Sequence, residues 1–166
     1  MRFSFCPDCG TKAVPKVIGD EGEMPYCMMC ERPLFDLFPV CVLCAVRNAR
    51  GQIALIRQSY VNAGTFVGVA GYLKSGESAE AAAAREVEEE LGLSVSAVSF
   101  VRSYPYVKKD MLMLGFAVTV EQGDFNISGE VDKAAWFSYD EAVAAVREGS
   151  IIQQLLIDSE QQKEKP

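Results

Sequence analysis

Four acidic side chains follow an arginine in the run Arg85-Glu86-Val87-Glu88-Glu89-Glu90-Leu91-Gly92. On a helix advancing about 100° per residue, Glu86, Glu89 and Glu90 fall within an arc of about 100°, while Ala83, Ala84, Val87 and Leu91 form an adjacent apolar stripe. Three carboxylates therefore share one edge beside the core. Left alone they repel, by a few tenths of a kcal/mol for an i, i+4 pair. A hard divalent cation such as Mg²⁺ or Mn²⁺ turns that repulsion into binding, because it prefers oxygen ligands and bridges phosphate oxygens. An acidic run is usually no more than a solvated helix face, but that reading does not account for Gly71, Glu77 and Arg85 at set distances. Glu88 points away from the other three and takes the solvated reading.

Sulfur supplies a second constellation. Cys6-Pro7-Asp8-Cys9 and Cys27-Met28-Met29-Cys30 are two C-x-x-C knuckles about twenty residues apart, the spacing of a four-cysteine zinc ribbon. Each knuckle lets two thiolates grip one metal, and the pair completes a tetrahedron. Such a closed Zn²⁺ site stabilises a fold and performs no chemistry. Cys41 and Cys44 share the spacing, but they lie in an apolar strand in which residues three apart face opposite ways; both are read as buried core. The chain has no histidine. That absence excludes serine-histidine and cysteine-histidine catalysis, and leaves acid-base work to carboxylates, Lys, Tyr, Cys or water.

These groups need elements to position them. The first 37 residues are rich in Cys, Pro, Gly and charge, show neither a sustained helical nor a sustained strand period, and are too few to fold on an apolar core alone. The expected division is therefore a zinc ribbon over 1–37 and a second domain over 38–166. From Pro39 two strands are expected about an Asn48-Ala49-Arg50-Gly51 turn, then a strand region over 63–73 that ends in a glycine loop. Residues 78–91 read as a helix with Ser78 as N-cap and Gly92 as its stop. Strands are expected over 95–104, 111–121 and 133–138, helices over 140–148 and about 151–160, and a frayed polar end. Strands interleaved with helices indicate an α/β or α+β sandwich.

With 166 residues, 49% of them hydrophobic, the chain can bury one substantial core plus a small module. A net charge of −7 argues against non-specific binding to duplex nucleic acid. The start, Met1-Arg2-Phe3-Ser4-Phe5-Cys6-Pro7, has no long apolar run behind it. Neither a secretory signal nor a membrane span is expected, and a reducing, cytoplasmic setting follows.

Gly71, Glu77 and the Arg85–Leu93 segment together fit G-x5-E-x7-R-E-U-x-E-E-x-G-U at every fixed position, where U is an apolar aliphatic residue. On these residues the chain resembles the Nudix hydrolases. The resemblance implies an α/β/α sandwich with a mixed sheet and metal-assisted attack of water on a diphosphate. It implies Glu86, Glu89 and Glu90 as holders of Mg²⁺ or Mn²⁺, with the backbone carbonyl of Ala70 or Gly71 contributing, and Glu77 and Arg85 as a bracing ion pair. A four-cysteine ribbon directly before such a domain is similar to the NADH pyrophosphatase branch. That branch carries an array after the box, of which Ser103, Pro105 and the Leu112-Met113 pair are kept here and most other positions are changed. Further along, Glu130 matches a fourth carboxylate ligand, and Gly149-Ser150-Ile151-Ile152 a closing segment near the nucleotide, which makes Ile152 a candidate contact. Tyr72 takes the place of an aromatic against the nucleobase, with Tyr104 and Tyr106 as further candidates.

The implied substrate is a small nucleotide, first a dinucleotide such as NADH or NAD⁺ giving AMP plus a mononucleotide. ADP-ribose, FAD and capped RNA are alternatives, the last not supported by the charge. A protein that senses a nucleotide without cleaving it is the reading from another class, and a homodimer is implied by the family's habit.

Overall fold

A computed structural model describes residues 3–58, 64–121 and 123–163. The chain divides into two compact units, Met1–Phe38 and Pro39–Pro166.

The first unit holds three short strands, β1 (Val14–Val17), β2 (Glu23–Cys27) and β3 (Arg32–Pro33), paired antiparallel in that order. These strands depart from the expectation of no strand pattern. The reason lies in their burial: β1 is exposed along its whole length, and only Tyr26 and Cys27 of β2 are buried. Strands that bury no continuous face leave no alternation to read. The core of this unit is small, made of Cys6, Cys27 and Leu34 with Phe3, Ala13 and Cys30 packed on it.

The second unit is built on a mixed sheet. Its strands are β4 (Val40–Arg47), β5 (Ile53–Arg57), β6 (Val69–Tyr72), β7 (Val95–Tyr106), β8 (Met111–Val120) and β9 (Lys133–Phe137). The spatial order is β7-β8-β4-β5-β9, and β6 pairs with β4. The β4–β8 pair is parallel and the other pairs are antiparallel. Central β4 reads as an unbroken apolar run because both of its faces are covered. Val42, Cys44 and Val46 meet the layer that holds helix α1 (Ala79–Leu91), and Leu43 and Ala45 meet the layer that holds α3 (Ile151–Lys163). The result is the expected α/β/α sandwich. Cys41 and Cys44 are buried in it as read, and Cys44 is fully inaccessible.

The β4–β5 hairpin closes as its turn residues dictate. The Asn48 carboxamide oxygen accepts from the backbone N–H of Arg50 and of Gln52, and Gly51 supplies the positive φ. Ser78 caps α1 by accepting from the Ala81 N–H, and Gly92 ends it in the left-handed region at φ 67°.

Several expected elements differ in extent. Helix α2 spans Tyr139–Ala145 rather than 140–148, because Val146 turns extended and bridges Phe66 in parallel. The strand region expected from 63 narrows to β6, preceded by single bridges at Phe66 and Val67; residues 59–63 lie outside the described chain. Helix α3 runs to Lys163, past the expected end. Among the described residues no helix is long and apolar enough to cross a membrane.

Candidate active site and cysteine centre

Helix α1 belongs half to the core and half to the site. Ala82, Ala83, Val87 and Leu91 are fully buried against the sheet. That packing fixes the rotation of the helix and sets where Glu86, Glu89 and Glu90 emerge. Strand β6 runs alongside, with Gly71 facing Val42 across the ladder. A Cβ built on Gly71 would stand 1.9 Å from the Glu86 carboxyl carbon, so only glycine lets Glu86 lie against this strand.

Arg85 ties these pieces together. Its Nε and Nη2 donate to the two oxygens of Glu77 at 3.1 and 2.9 Å, and Nη1 donates to Glu86 at 2.7 Å and to Glu89 at 3.0 Å. Nη2 also reaches the Tyr72 carbonyl at 3.3 Å. Glu77 accepts the backbone N–H of Lys74 as well. The Arg85 hydrogen bonds, helped by that N–H, hold the Glu77 carboxyl down at about 2. Arg85 itself is pushed well above the ordinary arginine range, first by Glu77. The loop between β6 and α1 is thus pinned to the helix by charge.

Glu90 differs from its neighbours. It is buried, accepts from the Gln58 carboxamide at 3.3 Å through Oε1, and has no partner for Oε2 among the described residues. Burial, reinforced by the Glu86 charge and to a lesser degree by Glu130 and Glu89, raises its carboxyl to about 7. A buried carboxylate oxygen without a partner is costly unless a cation or proton meets it. Glu86, Glu89 and Glu90 lie on one helix edge and Glu130 is close enough to act on Glu90, oxygen donors of the kind a hard divalent ion takes, but among the described residues their oxygens do not gather as the four cysteine sulfurs do. Glu89 also meets the Lys74 ammonium at 3.8 Å.

The other candidates scatter. Tyr72 is 60% exposed at the end of β6, beside the Arg85 cluster. Tyr106 is half-buried, with the Lys109 ammonium 5.9 Å from its ring centre. Ala70 pairs with Leu43 inside the sheet. Tyr104 turns inward: it is buried in the α3-side core and donates its hydroxyl to Asp158 at 2.8 Å. Its ring face is committed to packing, so the structure gives no base-facing surface at that position. Ile152 is likewise packed in the same core, with Leu155 and Leu156. Gln58 escaped sequence reasoning, because one amide at the end of an apolar strand carries no periodic signal.

In the first unit Cys6, Cys9, Cys27 and Cys30 come together, with their four sulfurs within 4.8 Å of one another. The sulfur of Cys27 accepts the Cys30 N–H at 3.3 Å. Thr11 draws the Cys9 thiol down to about 6, while the crowding sulfurs of Cys9 and Cys27 push Cys30 up to about 12. Four sulfurs this close could hold a metal ion, and four soft donors at this spacing suit zinc.

The NUDIX domain model matches residues 37–155, and the chain belongs to the Nudix hydrolase family. Within that family it is similar to the NudC-like branch. The NAD-capped RNA hydrolase NudC of Photobacterium profundum is 30% identical over 154 residues, covering 92% of this chain and 56% of that protein. The protein of the same name from Mycobacterium bovis is 38% identical over 110 residues, which are 65% of this chain and 35% of that protein. The chain thus spans about half the length, or less, of these curated relatives. Among solved structures, a NUDIX hydrolase from Nitrosomonas europaea superposes with a TM-score of 0.76 at 20% identity, covering 99% of this chain and 95% of the other. The NUDIX domain of Shewanella oneidensis NrtR, solved with ADP ribose, gives a TM-score of 0.66 at 12% identity over 83% of this chain and 94% of the other. Both likenesses bear on the fold alone.

Proposed function

We propose that this protein hydrolyses the diphosphate linkage of a nucleoside diphosphate derivative, with Mg²⁺ or Mn²⁺ as cofactor and a structural Zn²⁺ at the four cysteines. The observation that carries the reading is the edge of α1, where Glu90 presents a buried oxygen without a partner among the described residues and Glu86 lies against the bare backbone of Gly71. Glu86, Glu89, Glu90 and Glu130, with the Ala70 carbonyl, would hold the metal. When bound, the metal shields phosphate charge and lowers the pKa of water. Arg85 and Glu77 keep the loop and helix in register, and exposed Tyr72 offers a face for a base, an interaction of about 1–3 kcal/mol.

The leading substrate is a dinucleotide such as NADH or NAD⁺, cleaved to AMP and nicotinamide mononucleotide. Similarity to NAD-capped RNA hydrolases supports a nicotinamide dinucleotide. The same linkage heads a capped RNA, but a net charge of −7 favours the free dinucleotide. The test is a panel of NADH, NAD⁺, ADP-ribose, FAD and capped RNA with Mg²⁺ or Mn²⁺, read by mass spectrometry of the products. Nucleotide binding without any product after long incubation would overturn hydrolysis in favour of sensing.

A further inference from the structure

We infer that Gln58 is a positioning residue for Glu90, and that it orients this carboxylate toward the divalent cation. The inference rests on the metal-holding role proposed for Glu90 and adds a residue outside the signature of the family. Gln58 follows β5 directly and is 7% exposed. Its Nε2 donates to Glu90 Oε1 at 3.3 Å, inside the protein, while Oε2 of the same carboxylate is left without a partner among the described residues. A carboxylate held through one oxygen has its plane set, and the other oxygen is kept for a ligand. The donor is a neutral amide, so it supplies a hydrogen bond without cancelling the negative charge that a cation requires.

The backbone around this contact is fixed at several points. The Arg57 carbonyl accepts from the Asp132 N–H at 2.9 Å, and the Glu90 carbonyl accepts from the Ser128 N–H at 3.3 Å. The Leu91 carbonyl accepts from the Asn126 N–H at 2.9 Å. The end of β5, the end of α1 and the segment that carries Glu130 are therefore tied to one another, and Gln58 is the side chain that passes this rigidity to the Glu90 carboxylate. Partners of metal ligands in this arrangement are commonly worth about 10–100-fold in metal affinity.

The experiment is a Mn²⁺ titration of the full chain followed by electron paramagnetic resonance, for wild type, Gln58→Leu, Glu90→Gln and the double variant. Metal-free melting is recorded alongside. We expect Gln58→Leu to weaken Mn²⁺ binding about 10-fold or more and to have little further effect once Glu90 is Gln. Should Gln58→Leu not fold, Gln58→Met keeps the length without the polar atoms and gives the same readout. Unchanged Mn²⁺ affinity in Gln58→Leu, or an equal loss in both backgrounds, overturns the inference. Failure of the underlying reading looks different: Glu90→Gln itself would then leave Mn²⁺ binding untouched.

Discussion

Arg85, in the second turn of α1, grips Glu77, eight positions earlier in the loop after β6, through two parallel hydrogen bonds. The same guanidinium also touches Glu86 and Glu89, so a single cation sets both the loop and the acidic edge. An ammonium cannot reproduce that fork. Arg85→Lys is expected to lower turnover by about 10²-fold, the cost of a misplacement near 1 Å. Steady-state kinetics on the proposed dinucleotide substrate checks this, with circular dichroism showing a retained fold.

The Glu77 carboxyl is held at about 2 against an ordinary 4.5. A depressed carboxyl stabilises the folded state fully above its unfolded value, and that contribution is lost as pH falls through the folded value. The stability difference between wild type and Glu77→Gln should therefore be constant above about pH 5 and shrink toward zero near pH 2. Urea unfolding across that range reads it directly.

Glu90 titrates in the opposite sense. Raised to about 7 by burial and by Glu86, it costs the metal-free fold stability as pH climbs from 4.5, and the cost levels off above 7. Metal-free Glu90→Gln should equal or exceed wild type in stability at pH 8, by on the order of 1–3 kcal/mol. Metal-dependent turnover of the same variant should fall by about 10²-fold or more. A fully active Glu89→Gln, Glu90→Gln double variant would sink the catalytic reading.

The two tyrosines separate binding from folding. Tyr72→Ala removes an exposed ring and should raise KM about 10-fold with kcat little changed, in line with a lost stacking face. Tyr104→Phe removes the hydrogen bond to Asp158 and should cost about 1 kcal/mol of stability with kinetics intact. Melting curves beside Michaelis kinetics distinguish the two.

Chelation provides a test of the cysteine centre. The first unit buries very few side chains, so removal of Zn²⁺ should abolish amide protection over residues 3–38. Protection of β4 and α1, whose core is large and apolar, should persist. Hydrogen exchange followed by mass spectrometry resolves the two units.

Where elements bury a continuous face, the sequence was legible. Helix α1 and its caps, the β4–β5 hairpin and the covered faces of β4 follow from periodicity and turn chemistry. Strands β1 to β3 did not, because they present almost no buried face. The Arg85–Glu77 pairing was legible through the spacing of the box, whereas the Gln58–Glu90 contact joins residues 32 apart on different elements and had no local signal. Tyr104 illustrates the remaining gap: alternation can place a residue on one face of a strand, but which face is covered depends on where α3 lies.

The close approach of Gly71 to Glu86 separates two properties that most core positions keep coupled. The three atoms a methyl group would meet first there all belong to the tip of the flexible Glu86 side chain. Glu86 can swing away at the cost of its hydrogen bond to Arg85, which keeps Glu77 and Glu89, yet the edge it completes would be lost. On the proposed function, one carbon atom thus stands between a chain that cuts a nucleotide and a folded variant that only holds it. An evolving lineage, or an engineer in need of an inert substrate trap, has a short path between the two at Gly71.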